Sequence, residues 1–87
     1  MRLREPEYAA EYLTAVLAEK DREAFLVALK DVVKASGGMG ELAGRIKIKR
    51  PSLYRILSSE GNPTLDTLQQ ILKSLGLRVS VMLDEAA

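Results

Sequence analysis

Neither cysteine nor histidine occurs among the 87 residues. The first absence excludes disulfides and thiolate chemistry. The second removes the usual general base and the commonest zinc ligand. Ser36, Ser52, Ser58, Ser59, Ser74 and Ser80 therefore have no partner for a Ser–His–acid site. Apolar runs are only a few residues long, too short for a membrane-spanning helix. Met1-Arg2-Leu3-Arg4-Glu5 turns polar at once, unlike a secretory leader, so a cytoplasmic protein is expected. Acidic residues are scattered, with no catalytic pair among them. Gly37-Gly38-Met39-Gly40 lacks the Lys-Ser/Thr of a phosphate loop and follows no strand, so it is a helix stop and turn. No catalytic residue, metal site or cofactor is expected, and the chain is read as a binding protein rather than an enzyme.

What is present suits one small domain over residues 1–87, with 47% hydrophobic residues for a single core. The net charge of +1 is unevenly spread. Residues 1–35 hold six Lys/Arg against seven Asp/Glu, a balance of −1. Residues 36–59 hold Arg45, Lys47, Lys49, Arg50 and Arg55 against Glu41 alone, a balance of +4. Residues 60–87 return to −2. A basic centre of this kind is the electrostatic footprint of a nucleic-acid binder, although short basic stretches also occur as plain solvated surface.

Helical spacing dominates the chain. Tyr8, Tyr12, Leu13, Val16 and Leu17 form a first stripe behind Glu5-Pro6-Glu7, which suits a helix's first turn. Asp21 is placed to cap a second helix carrying Phe25, Leu26, Leu29, Val32 and Val33, and Gly37-Gly38 stops it. Two short helices follow over about 39–46 and 50–59, separated only by Lys47-Ile48-Lys49, so they must turn sharply. Gly61-Asn62-Pro63 breaks the chain. Thr64 then caps a fifth helix, about 64–75, with Leu65, Leu68, Ile71, Leu72 and Leu75, stopped by Gly76 with a Leu72–Leu77 contact. Beyond Gly76 the period falls to two: Leu77, Val79, Val81 and Leu83 alternate with Arg78, Ser80, Met82 and Asp84, which predicts a strand over about 77–83. A lone strand leaves its backbone groups unpaired, so a second copy of the chain is the expected partner. The alternative is an extended tail laid across the helices.

Residues 39–57 have the register of a helix-turn-helix. Leu42 and Ile46 face the core, Ala43 permits close approach, Ile48 fills the turn, and Leu53, Ile56 and Leu57 close from the second helix. At 100° per residue, Pro51, Arg55 and Ser58 point away from that core, with Ser52, Tyr54 and Ser59 flanking them. Arg50 and Arg55 can offer paired donors to guanine in the major groove. Lys47, Lys49, Ser52 and Tyr54 suit phosphates, and the helix start at Met39 could receive another. A helical hairpin serving only the core is the alternative.

Over Glu5 to Val81 the chain resembles the addiction-module antidote family, kin of the lambda-repressor-like helix-turn-helix proteins. The resemblance rests on Glu11-Tyr12-Leu13, Ala24-Phe25-Leu26-x-Ala28-Leu29, Glu41-Leu42-Ala43, Ser52-Leu53-Tyr54-Arg55-x-Leu57, Gly61-Asn62-Pro63-Thr64-Leu65-x-Thr67 and Leu72-Lys73-x-Leu75-Gly76-Leu77. It implies an all-α, five-helix DNA-binding fold. It also implies a partner toxin, typically a small RelE/ParE-type protein, and repression of the shared operon. DNA contacts carry over onto Arg50, Pro51, Ser52 and Arg55, with Met39 at the helix start that meets the backbone. Three positions depart from the pattern. Lys47 stands where the turn favours glycine, at a cost of about 1 kcal/mol in a left-handed conformation. Lys49 occupies a cap position usually held by Ser or Thr, forfeiting roughly 0.5–2 kcal/mol. Pro51 has no hydrogen-bond donor with which to read a base. The rival readings are a protein-interaction module that binds a toxin without reading DNA sequence, and a generic transcriptional regulator.

Overall fold

The computed structural model describes residues 2–85. Its helices are α1 (Pro6–Ala18), α2 (Arg22–Ala35), α3 (Met39–Ile46), α4 (Arg50–Ile56) and α5 (Leu65–Ser74), and no strand occurs among the described residues. The fold is all-α. Helix α1 packs on α2, α2 on α3, and α3 on both α4 and α5.

Local chemistry sets most helix ends. Pro6 opens α1, where its missing N–H costs nothing. The Asp21 carboxylate accepts from the Ala24 N–H at 3.1 Å, and Thr64 Oγ1 accepts from the Thr67 N–H at 3.1 Å, so both expected caps are formed. At the other end of α2, Gly37 turns left-handed (φ 117°) and the Gly38 N–H reaches back to the Val33 carbonyl at 3.0 Å. Gly76 (φ 79°) does the same for α5, letting the Leu77 N–H donate to the Leu72 carbonyl at 2.8 Å.

The core draws Leu13 from α1, five residues of α2 (Leu26, Ala28, Leu29, Val32, Val33), Met39, Leu42 and Ala43 from α3, Leu53 and Leu57 around α4, and Ile71 and Leu72 from α5. Tyr8, Tyr12, Val16, Phe25, Ile46, Ile48, Ile56, Leu68, Leu75 and Leu77 pack around it. Leu3, in the polar opening segment, is also buried. Two stripe residues are not: Leu17 is 59% and Leu65 62% exposed. Each sits at a helix terminus, where no neighbouring element covers the stripe.

Two boundaries are corrected. Helix α4 stops at Ile56 rather than near Ser59. The chain folds back so tightly that a Cβ on Gly61 would lie 1.9 Å from the Ile56 carbonyl oxygen. The Gly61 N–H donates to the Ser58 carbonyl at 2.8 Å, fixing that return. The strand expected over 77–83 is absent within this single chain: residues 77–84 carry no regular secondary structure. The helices offer no sheet edge, so the segment has no ladder to join.

Candidate nucleic-acid interface

The turn between α3 and α4 is built on a strained residue. Lys47 is left-handed (φ 57°, ψ 43°), which lets the Ile48 N–H close on the Ala43 carbonyl at 3.0 Å and sends the Ile48 side chain against the core. Helix α4 therefore starts hard against α3. Lys49 precedes it in an extended conformation and makes no side-chain cap, as its chemistry dictates. Leu53 anchors the inner face, while Lys49, Arg50, Pro51, Tyr54 and Arg55 are exposed and Ser52 is half-buried.

Arg50 is the best-placed cation. Its guanidinium lies across the first turn of α3, where a Cβ added to Gly40 would be 3.5 Å from its Nη1. It also lies over the Tyr54 ring, with Cζ 5.8 Å from the centroid. The Tyr54 phenol is held below its ordinary pKa, chiefly by Arg50 donating toward it and secondarily by the positive fields of Arg50, Lys34 and Lys30. Lys30 and Lys34 stand one turn apart on α2, and their positive fields reach Tyr54. The segment-by-segment charge balance hid them among acidic residues. Their four-residue spacing was the available signal. Arg55 lies one turn from Ser52, its Nη2 3.4 Å from the Ser52 oxygen.

Not every expected residue joins this group. Met39 is buried in the core, so only its main chain could meet a phosphate. Arg45, counted in the basic centre, turns to the other side of α3, pairing with Glu41 and donating to the Ser74 carbonyl at 3.4 Å. Lys47 lines an open cleft of about 470 Å³ with Arg45, Ile46, Gln70, Lys73 and Ser74, between the ends of α3 and α5. The cations of α3 and α4 thus divide into an α4 face and a separate cleft. Among the described residues no polar or charged residue is buried, so the charges lie at the surface rather than in the core.

Comparison with known proteins adds a second line. The family model described as "Probable addiction module antidote protein" matches residues 1–83. An uncharacterized protein of Haemophilus influenzae strain Rd is 39% identical over 70 residues, covering 80% of this chain and 71% of that protein. No solved structure matches. With the match running over residues 1–83, the chain belongs to the addiction module antidote family.

Proposed function

We propose that the chain is a sequence-specific DNA-binding antitoxin that represses its own operon as a homodimer and neutralises a small RelE/ParE-type toxin. The observation that carries the DNA-binding part is the exposed α4 face, where Arg50, Tyr54 and Arg55 stand over a buried Leu53. Arg50 and Arg55 read base edges, while Lys49, Ser52, Tyr54 and the main chain at Met39 hold phosphates. Pro51 packs on the groove without donating. The role is binding rather than catalysis.

The toxin is assigned to α1 and α2. Their segment is acidic, which suits a basic ribonuclease-like partner, and Leu17 and Val27 stand exposed on it. The homodimer is assigned to the apolar alternation of residues 77–83.

The test is a genome-fragment pull-down comparing wild type with Arg50→Ala/Arg55→Ala. Enrichment of one promoter-proximal site by wild type alone supports the repressor. Its absence, with a folded wild type, removes the stand-alone repressor. A second reading, a toxin-binding module without sequence-specific DNA reading, is favoured by Lys49 and Pro51, which add no specific donor at the start of α4.

A further inference from the structure

The cleft between the ends of α3 and α5 stands apart from the α4 face, and its lining carries charge of one sign. Arg45, Lys47 and Lys73 line it together with Ile46, Gln70 and Ser74, and no acid is among them. Gln70, Lys73 and Ser74 share one face of α5 at three- and four-residue spacing. The opposite wall is the end of α3 and the turn that follows it. A volume of about 470 Å³ is that of a small-ligand site.

Ordinary helix chemistry accounts for part of this lining. Arg45 in the last turn of α3 and Lys73 in the last turn of α5 each complement a helix dipole. Arg45 is also engaged already: Glu41 pairs with it, and it donates to the Ser74 carbonyl at 3.4 Å, tying the two walls together. Lys47 is not explained in this way. It lies beyond the last turn, at a left-handed position (φ 57°) that glycine would occupy without strain, and it lines the cleft. Strain retained by a charged residue at a cleft points to a role for that residue. Among the described residues, neither Lys47 nor Lys73 has an ion pair, and both are exposed.

The two helix ends repel an anion less than open ends would, because their carbonyls are occupied. Ala43 accepts from the Ile48 N–H at 3.0 Å, Leu72 from Leu77 at 2.8 Å and Lys73 from Gly76 at 3.0 Å. The Ser74 hydroxyl donates to the Ile71 carbonyl at 2.8 Å. What the cleft still offers is one ammonium from each wall and the Gln70 amide. An ammonium on either side suits a ligand with more than one negative charge. A phosphate group brings about two such charges and several acceptor oxygens, and lysine binds it as a point charge. The geometry points to a binding site for a small phosphate-bearing anion, held between Lys47 and Lys73, with Gln70 as a further donor and half-buried Ile46 beside it. This site goes beyond the function proposed above and requires neither DNA nor a second copy of the chain.

Backbone-amide NMR of the full-length chain tests it, with inorganic pyrophosphate titrated at an ionic strength fixed by sodium chloride. Saturable shifts at Lys47, Gln70 and Lys73 are expected, with a midpoint about tenfold below that of any shift at Arg50 or Arg55. Lys47→Gly separates binding from folding, because it removes the ammonium while relieving the backbone. That variant should melt no lower than wild type yet bind about tenfold more weakly, and Lys73→Gln should weaken binding similarly. Lys20→Gly is the matched control: it deletes the same charge at another left-handed lysine (φ 59°), one that does not line the cleft, and should bind as wild type does. A titration without saturation, equal midpoints in the cleft and on α4, undiminished affinity in either cleft variant, or an equal loss in Lys20→Gly overturns the site. Each of these results is read on protein without DNA, so each leaves the repressor proposal standing.

Discussion

Lys47 and Lys20 both hold positive φ, 57° and 59°, without glycine's freedom to do so. At Lys47 the conformation is required by the turn that seats α4, so the strain is retained in the native state. Lys47→Gly is expected to raise stability by about 1 kcal/mol in urea denaturation, with the far-UV spectrum unchanged. Gly61 presents the opposite situation. Its approach to the Ile56 carbonyl leaves no room for a methyl group, and the obstacle is backbone, which cannot rotate aside. Gly61→Ala is expected to cost about 2 kcal/mol or more, because the return after α4 must open to admit it. A midpoint shift within error of wild type would mean that the return is looser than described.

At the scale of elements, the proposed DNA face on α4 would draw on the positive fields of Lys30 and Lys34 from α2, which reach Tyr54. Lys30 and Lys34 carry no donor geometry for bases and are expected to hold phosphate. Lys30→Ala/Lys34→Ala should weaken DNA binding about equally on any sequence and reduce the slope of log affinity against log salt by about 2. A loss confined to one site would instead make them base readers. These lysines also show where sequence reading ran out. Asp21, Thr64, Gly37 and Gly76 announced the helix ends because capping is settled by side chains within a few residues. Helix α4's end was not announced, since Ile56, Leu57 and Ser58 continue a helical pattern and the stop comes from Gly61 folding back. Leu17 and Leu65 read as core because periodicity cannot tell where a neighbouring helix runs out. Lys30 and Lys34 were averaged into an acidic segment. The tail's alternation was visible, but a strand is a property of two segments, and the chain supplies one. At the candidate site, the exposure of Arg50, Pro51, Tyr54 and Arg55 was legible from helical angles. The burial of Met39 and the turning away of Arg45 depended on tertiary packing.

For the whole molecule, a net charge of +1 gives little long-range attraction to DNA. What matters is that cations gather on the α4 face while α1 and the tail carry acids. The body measures 40 × 26 × 20 Å, so two copies joined tail to tail can span one turn of a duplex. Footprinting of the operator is expected to show two half-sites about 34–36 Å apart, or a multiple, related by approximate dyad symmetry. A single unpaired footprint would show that one copy binds alone.

The resting place of Arg50, between Gly40 and the Tyr54 ring, bears on how long a complex lasts. A long flexible side chain loses about 0.5–1.5 kcal/mol of freedom when an interface immobilises it, and on the proposed DNA-binding reading Arg50 would have surrendered part of this before binding. Arrival is governed by charge, which the ring does not alter, so the ring's contribution falls on departure. In single-molecule dwell measurements Tyr54→Leu should leave the association rate near wild type and shorten residence more than Tyr54→Phe. On the proposed repressor reading, an aromatic ring assigned to phosphate rather than to a base would then be setting the clock on which the promoter reopens.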